Sequence, residues 1–90
     1  MGVALITLKI MPEGVDTDFS SIRKTGEERV VEAGGEITKT EEQPIAFGLK
    51  ALIIFIRAPE SKDTDLFENA FKDVAGVSSV EITDYRRSIE

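Results

Sequence analysis

Few residues in this chain could make or break a covalent bond. Its 90 residues include no cysteine and no histidine. Thiol nucleophiles, disulfides and thiolate metal sites are therefore excluded. The usual general base and the commonest transition-metal ligand are missing as well. The 17 acidic residues contain no cluster with calcium-loop spacing. A phosphate-cradling loop with an arginine after the first strand, as a small phosphatase would need, is also lacking. That position holds Pro12-Glu13-Gly14-Val15-Asp16, which is acidic and repels phosphate. No cofactor is expected, and the chemistry that remains is contact.

Three places could supply contact. In Pro44-Ile45-Ala46-Phe47-Gly48, apolar groups occupy what should be a polar connection. A tight turn accounts for Pro44 and Gly48. It leaves Phe47, a ring at a loop tip that is either tucked under or offered to a partner. Tyr85-Arg86-Arg87 is a basic stretch near the end of an acidic molecule. Such a pair is either solvated and frayed or reaching for a phosphate or carboxylate, which a guanidinium fork suits. The third is a sheet face carrying Phe55, with Tyr85 as a second aromatic of the kind that stacks on RNA bases. The Gly-aromatic pattern of RNA-binding sheets is absent, and the net charge of −6 disfavours phosphate neutralisation.

These residues must be positioned by a small scaffold. Ninety residues make one domain, 1–90, with one two-layer core. No apolar run approaches the roughly 20 residues of a membrane span. The start, MGVALITLKI, has no basic flank or cleavage-like site. Ile6 stands where a myristoylation motif needs Ser or Thr. A cytoplasmic monomer that touches neither membrane nor nucleic acid is expected.

Val3 to Met11 alternates, with Ala4, Ile6, Leu8 and Ile10 of one parity, and predicts a half-buried strand. Asp16-Thr17-Asp18 offers helix caps. Phe19, Ile22, Gly26, Val30 and Ala33 then form one helix face, ended by Gly34-Gly35. Residues 36–43 read as a charged edge strand. Lys50 to Ala58 reads as a central strand. Asp63-Thr64-Asp65 caps a second helix, with Leu66, Phe67, Ala70, Phe71 and Val74 inward and Asp65 and Glu68 at capping-box spacing. Val77 to Tyr85 is the last strand, with Val80 and Ile82 of one parity. The order is βαββαβ. Residues 4–19 and 51–66 echo one another at an offset of 47, including Pro12/Pro59 and Asp16/Asp63. This predicts an α+β, ferredoxin-like split βαβ fold: a four-stranded antiparallel sheet with strands one and three central and two helices on one face. The echo would turn Ile53 and Phe55 inward, but Arg57 shares their parity and arginine does not belong in a core. Leu52, Ile54 and Ile56 are therefore expected inward. Ile53 and Phe55 are expected on the helix-free face with Leu5, Thr7, Lys9 and Thr83.

Three stretches carry a family resemblance that covers essentially the whole chain. PIAFGLKAL, Pro44 to Leu52, resembles the Pro-x-(Gly/Ala)-aromatic-Gly-(Ile/Leu)-Lys-x-Leu stretch of the elongation factor 1-beta family. VSSVEITDYRR, Val77 to Arg87, resembles that family's C-terminal strand. LKIMPEGVDTD resembles the start of its short archaeal members. The resemblance implies a guanine-nucleotide exchange factor, not an enzyme, acting on the translation GTPase elongation factor 1-alpha. It implies that Phe47 inserts into the GTPase nucleotide domain from a loop shaped by Pro44 and Gly48 and followed by Lys50. Arg87 falls where eukaryotic members carry a lysine placed at the GTPase magnesium site, with Arg86 the other candidate for that cation. Two departures stand out: arginine replaces lysine, and Ser88-Ile89-Glu90 follow it. On this reading a rigid scaffold holds one ring and one guanidinium so that both reach the G-protein together. An RNA-binding or ligand-binding regulatory module of the same fold is the alternative.

Overall fold

Alternation in the first strand sets the layout. In the computed structural model, which describes residues 2–89, β1 (Gly2–Pro12) buries Ala4, Ile6, Leu8 and Ile10 on one side. It is followed by α1 (Phe19–Glu32), β2 (Glu36–Pro44), β3 (Lys50–Pro59), α2 (Thr64–Lys72) and β4 (Val77–Ile89). The strands form one antiparallel sheet in the order β2-β3-β1-β4. β1 and β3 are central, as a ferredoxin-like fold requires. Ile6 lies opposite Ile56, Leu8 opposite Ile54 and Ile10 opposite Leu52. Against this double row α1 lays Ile22 and Val30, and α2 lays Phe67, Ala70 and Phe71, in one hydrophobic cluster.

The ladder settles the facing of β3. Leu52, Ile54 and Ile56 are buried in the core, while Ile53 and Phe55 are half-buried opposite Lys9 and Thr7 on the helix-free face. Arg57 stays on that face and reaches Glu36 Oε1 at 3.4 Å.

The echo between the two halves breaks at the caps. Asp18 caps α1, its carboxylate accepting from the N–H groups of Ser20 at 3.0 Å and Ser21 at 3.3 Å. Asp63 caps α2, accepting from Asp65 N–H at 3.0 Å. The caps are thus two residues closer than the echo predicts, and the connection after β1 is the longer one. The expected Asp65–Glu68 capping box does not form. Asp65 sits in the first turn, and Glu68 instead holds Lys72 at 2.8 Å. With the helix phased from Asp63, Phe67, Ala70 and Phe71 point inward and Leu66 is left exposed.

The Asp18 cap yields a first prediction. Asp18→Ala removes the acceptor for two otherwise orphaned donors and should cost about 1 kcal/mol. Calorimetry should show a melting midpoint lower by about 4–8 °C.

β4 runs four residues past the expected end and takes Arg86 and Arg87 into the ladder with β1. A register shift opposite Thr7 and Leu8 reverses its parity. Val80 and Ile82 pack against the core before the shift. After it, Tyr85 lies opposite the buried Ile6 and so leans toward the helix layer. Phe55 and Tyr85 therefore do not share a face, which corrects the stacking pair read from the sequence. Among the described residues no helix is long and apolar enough to cross a membrane.

Candidate partner-docking site

The β2–β3 connection is a hairpin turn with an unusual occupant. Leu49 N–H donates to Ala46 O at 3.0 Å, and Ile45 N–H to Leu49 O at 2.9 Å. Between them Phe47 has φ 57° and Gly48 φ 76°. Two consecutive left-handed residues make a type I′ turn, whose twist matches the flanking strands and whose usual occupants are Asn-Gly. Gly48 accepts this geometry freely. Phe47 does not: a left-handed conformation costs a side chain with a Cβ about 1–2 kcal/mol. Packing does not offset that cost, because Phe47 is 96% exposed. Among the described residues it is the one non-glycine with positive φ. The ring is therefore both strained at its backbone and left in solvent, with no contact among the described residues that offsets the strain.

The neighbours brace this turn. Pro44 is the last residue of β2 and pairs with Lys50 at the head of β3. Its missing N–H is tolerated because β2 is an edge strand. The Lys50 ammonium lies 3.7 Å from Glu42 on the adjacent strand. The structure thus gathers Pro44, Phe47, Gly48 and Lys50 at one end of the sheet.

It does not bring the arginines there. Arg86 pairs with Leu5 and Arg87 with Ala4, which in turn pairs with Ala58. The eight residue steps from Lys50 to Ala58 span about 26 Å at strand rise. The expectation that one scaffold brings a ring and a guanidinium to the G-protein together, with Phe47 not on the opposite side of the molecule from the end of the last strand, is corrected: they occupy opposite ends of a sheet in a molecule 43 Å long. The cause is topological. In a βαββαβ sheet the β2–β3 hairpin and the end of β4 always lie at opposite poles.

The two arginines also differ in facing. Arg86 is on the helix-free face, its Nε 2.9 Å from Asp84 Oδ2. Arg87 is turned to the helix side. There Tyr85 first, and Glu60 after it, raise its pKa above the ordinary arginine value. On the helix-free face the Lys39 ammonium sits 5.6 Å over the Phe55 ring and 2.7 Å from Glu41. Among the described residues no group of three or more His, Cys, Asp or Glu could hold a metal ion.

The signal for the strained turn was in the sequence, as Phe-Gly where hairpins favour Asn-Gly. The signal for the β4 register shift was not, since nothing in Ile82-Thr83-Asp84 departs from ordinary strand composition.

The fold thus presents one exposed aromatic ring on a hairpin braced by its strand neighbours. The EF-1 guanine nucleotide exchange domain model matches residues 5–87. Elongation factor 1-beta of Methanothermobacter thermautotrophicus is 40% identical over 88 residues, covering 97% of this chain and 98% of the relative. That of Methanobrevibacter smithii is 47% identical with the same coverage. That of Methanococcoides burtonii is 42% identical over 90 residues, covering 99% of this chain and all of the relative. The chain belongs to the EF-1 guanine nucleotide exchange family.

Proposed function

We propose that this chain promotes GDP release from elongation factor 1-alpha, with the Phe47 turn as its anchor. Family membership supports the exchange activity, and the 96% exposed ring on a strained turn supports the anchor. An aromatic anchor brings much buried area with few rotatable bonds. A GTPase holds GDP through phosphate contacts and Mg²⁺. A factor that binds the nucleotide-free state better than the GDP state lowers GDP affinity by the factor with which GDP lowers its own. GTP then refills the site and displaces the factor. No bond in the nucleotide is broken, so the protein is not an enzyme in the chemical sense. It works as a cytoplasmic monomer, with no membrane or nucleic acid.

The joint placement of ring and guanidinium does not hold, since Phe47 lies beyond Lys50 and more than about 26 Å from the arginines along the strands; a separate arginine role is still open to test. A standard interface takes about 800 Å² from each partner, a patch about 30 Å across. Meeting Phe47 at one pole and Arg86 or Arg87 at the other takes an interface of the larger signalling class, elongated along the strands. A cation reaching the magnesium site there opposes Mg²⁺ electrostatically. Against the RNA-binding alternative, Phe55 already lies under an ammonium and Tyr85 is on the other face. The cations Lys39, Arg57 and Arg86 each have an acidic partner.

Titration against nucleotide-free and GDP-loaded elongation factor 1-alpha tests the reading. Much tighter binding to the nucleotide-free form is expected, and equal affinities would refute exchange by this route. The arginines are tested separately. Arg87→Ala, Arg86→Ala and the double variant should keep the wild-type melting midpoint. With at least the double variant, GDP should leave elongation factor 1-alpha several-fold more slowly. A double variant with the normal rate removes the cation from the mechanism.

A further inference from the structure

A second apolar side chain is exposed beside the Phe47 turn, on a different segment. Val15 is 70% exposed at the tip of the β1–α1 connection. That connection is rigid. Thr17 N–H donates to Gly14 O at 3.3 Å, the Thr17 hydroxyl donates to the same oxygen at 2.9 Å, and Gly14 N–H donates to the hydroxyl at 3.2 Å. Glu13 N–H is tied to Gly76 O at 2.9 Å. Val15 is thus held outward, though it could have been folded against the core like Phe19 or Ile22. It meets the hairpin at Gly48, where a Cβ would lie 3.9 Å from Val15 Cγ1. Ile45, also exposed, lies on the same turn. Two segments far apart in sequence therefore place Val15, Ile45 and Phe47 together at one pole.

We infer that Val15 is a second contact residue for the GTPase that Phe47 engages, the two forming one apolar tip from both loops. This rests on the exchange-factor reading above. The inference follows from continuity with the strained turn. A partner surface that covers Phe47 reaches Val15 as well, since the Val15 side chain lies beside the adjacent Gly48. The occupant is the GTPase rather than a second copy of this chain, because the tip carries Glu13, Asp16 and Asp18 with no base between Pro12 and Ile22, and the cation at the head of β3, Lys50, is paired with Glu42. Two copies joined tip to tip would oppose acid to acid. A partner with an apolar dimple and a basic rim suits the tip.

Val15→Ser and Val15→Asp, made in the full chain, test this beside two references. Val31→Ser removes an equally solvated valine, 60% exposed on α1 away from the tip, and Phe47→Ala removes the anchor. The readouts are the dissociation constant for nucleotide-free elongation factor 1-alpha and the thermal midpoint of the chain alone. Val15→Ser should weaken binding about tenfold, the worth of burying one valine side chain. Val15→Asp should weaken it further, and both should keep the wild-type midpoint. Val31→Ser should change neither. Wild-type affinity in both Val15 variants, with Phe47→Ala still weakened, overturns the inference and leaves the exchange reading standing. Wild-type affinity in Phe47→Ala as well overturns both. Loss of affinity in Val31→Ser equal to that in Val15→Ser, or a fall in midpoint matching the loss of binding, also overturns the inference.

Discussion

Phe47→Ala is expected to slow factor-stimulated GDP release about thirtyfold, equivalent to about 2 kcal/mol for a central aromatic anchor. The fold should not notice, because a 96% exposed side chain contributes no core packing. Phe47→Asn sharpens the test. Asparagine tolerates the left-handed φ of 57° seen here and is the favoured residue at this place in a type I′ turn. It should raise stability by about 1 kcal/mol while losing as much exchange activity as alanine does. Stability and activity moving in opposite directions at one residue is what a position strained for binding produces. Stopped-flow release of fluorescent GDP, paired with a melting curve for each variant, measures both. A Phe47→Asn protein that is less stable than wild type would mean that the ring supports the fold.

Gly26→Ala should destabilise the protein, against the ordinary rule for a helix interior. By propensity alone, alanine in α1 is favoured over glycine by about 1 kcal/mol. Here a Cβ at position 26 would lie 1.8 Å from Phe71 Cε1 and 2.3 Å from Cζ. The Phe71 ring is fully buried between the helices and the sheet and cannot swing into solvent. One helix must therefore move away from the other, and overpacking of this kind costs about 1–3 kcal/mol, which outweighs the propensity gain. Phe71→Ala, which leaves a cavity instead, should cost about 3–5 kcal/mol. The two sites are coupled. Gly26→Ala combined with Phe71→Leu should lose about 1–2 kcal/mol less than the sum of the single changes. Urea unfolding of the four proteins measures this. A Gly26→Ala variant more stable than wild type would mean that α1 and α2 do not approach so closely.

How much of this could be read from the sequence depended on how local the determinant was. Alternation in Val3–Met11 and the three-and-four spacing from Phe19 to Val30 are properties of single elements, and both elements formed as expected. The inward facing of Leu52, Ile54 and Ile56 was legible because Arg57 is too costly to bury. The Asp65–Glu68 cap failed because two aspartates compete for the same helix start, and only packing of Phe67 and Phe71 selects Asp63. Tyr85 was misplaced because a register shift in β4 arises from its fit to β1. The site was half legible. Phe47 stood out as an apolar residue in a polar place, and its backbone strain emerged only with the turn's geometry. That Phe47 and Arg87 lie at opposite poles was already implied by the βαββαβ order, once strand directions are followed through the sheet. Val15 could not be picked out, since a single valine in an acidic loop has no pattern until the hairpin is folded beside it.

The most direct test follows GDP leaving elongation factor 1-alpha when this protein is added with excess unlabelled nucleotide. Release should accelerate with protein concentration and then saturate, and added GTP should free the protein again. Release at the unassisted rate, at concentrations where the two proteins are demonstrably bound, would contradict the account.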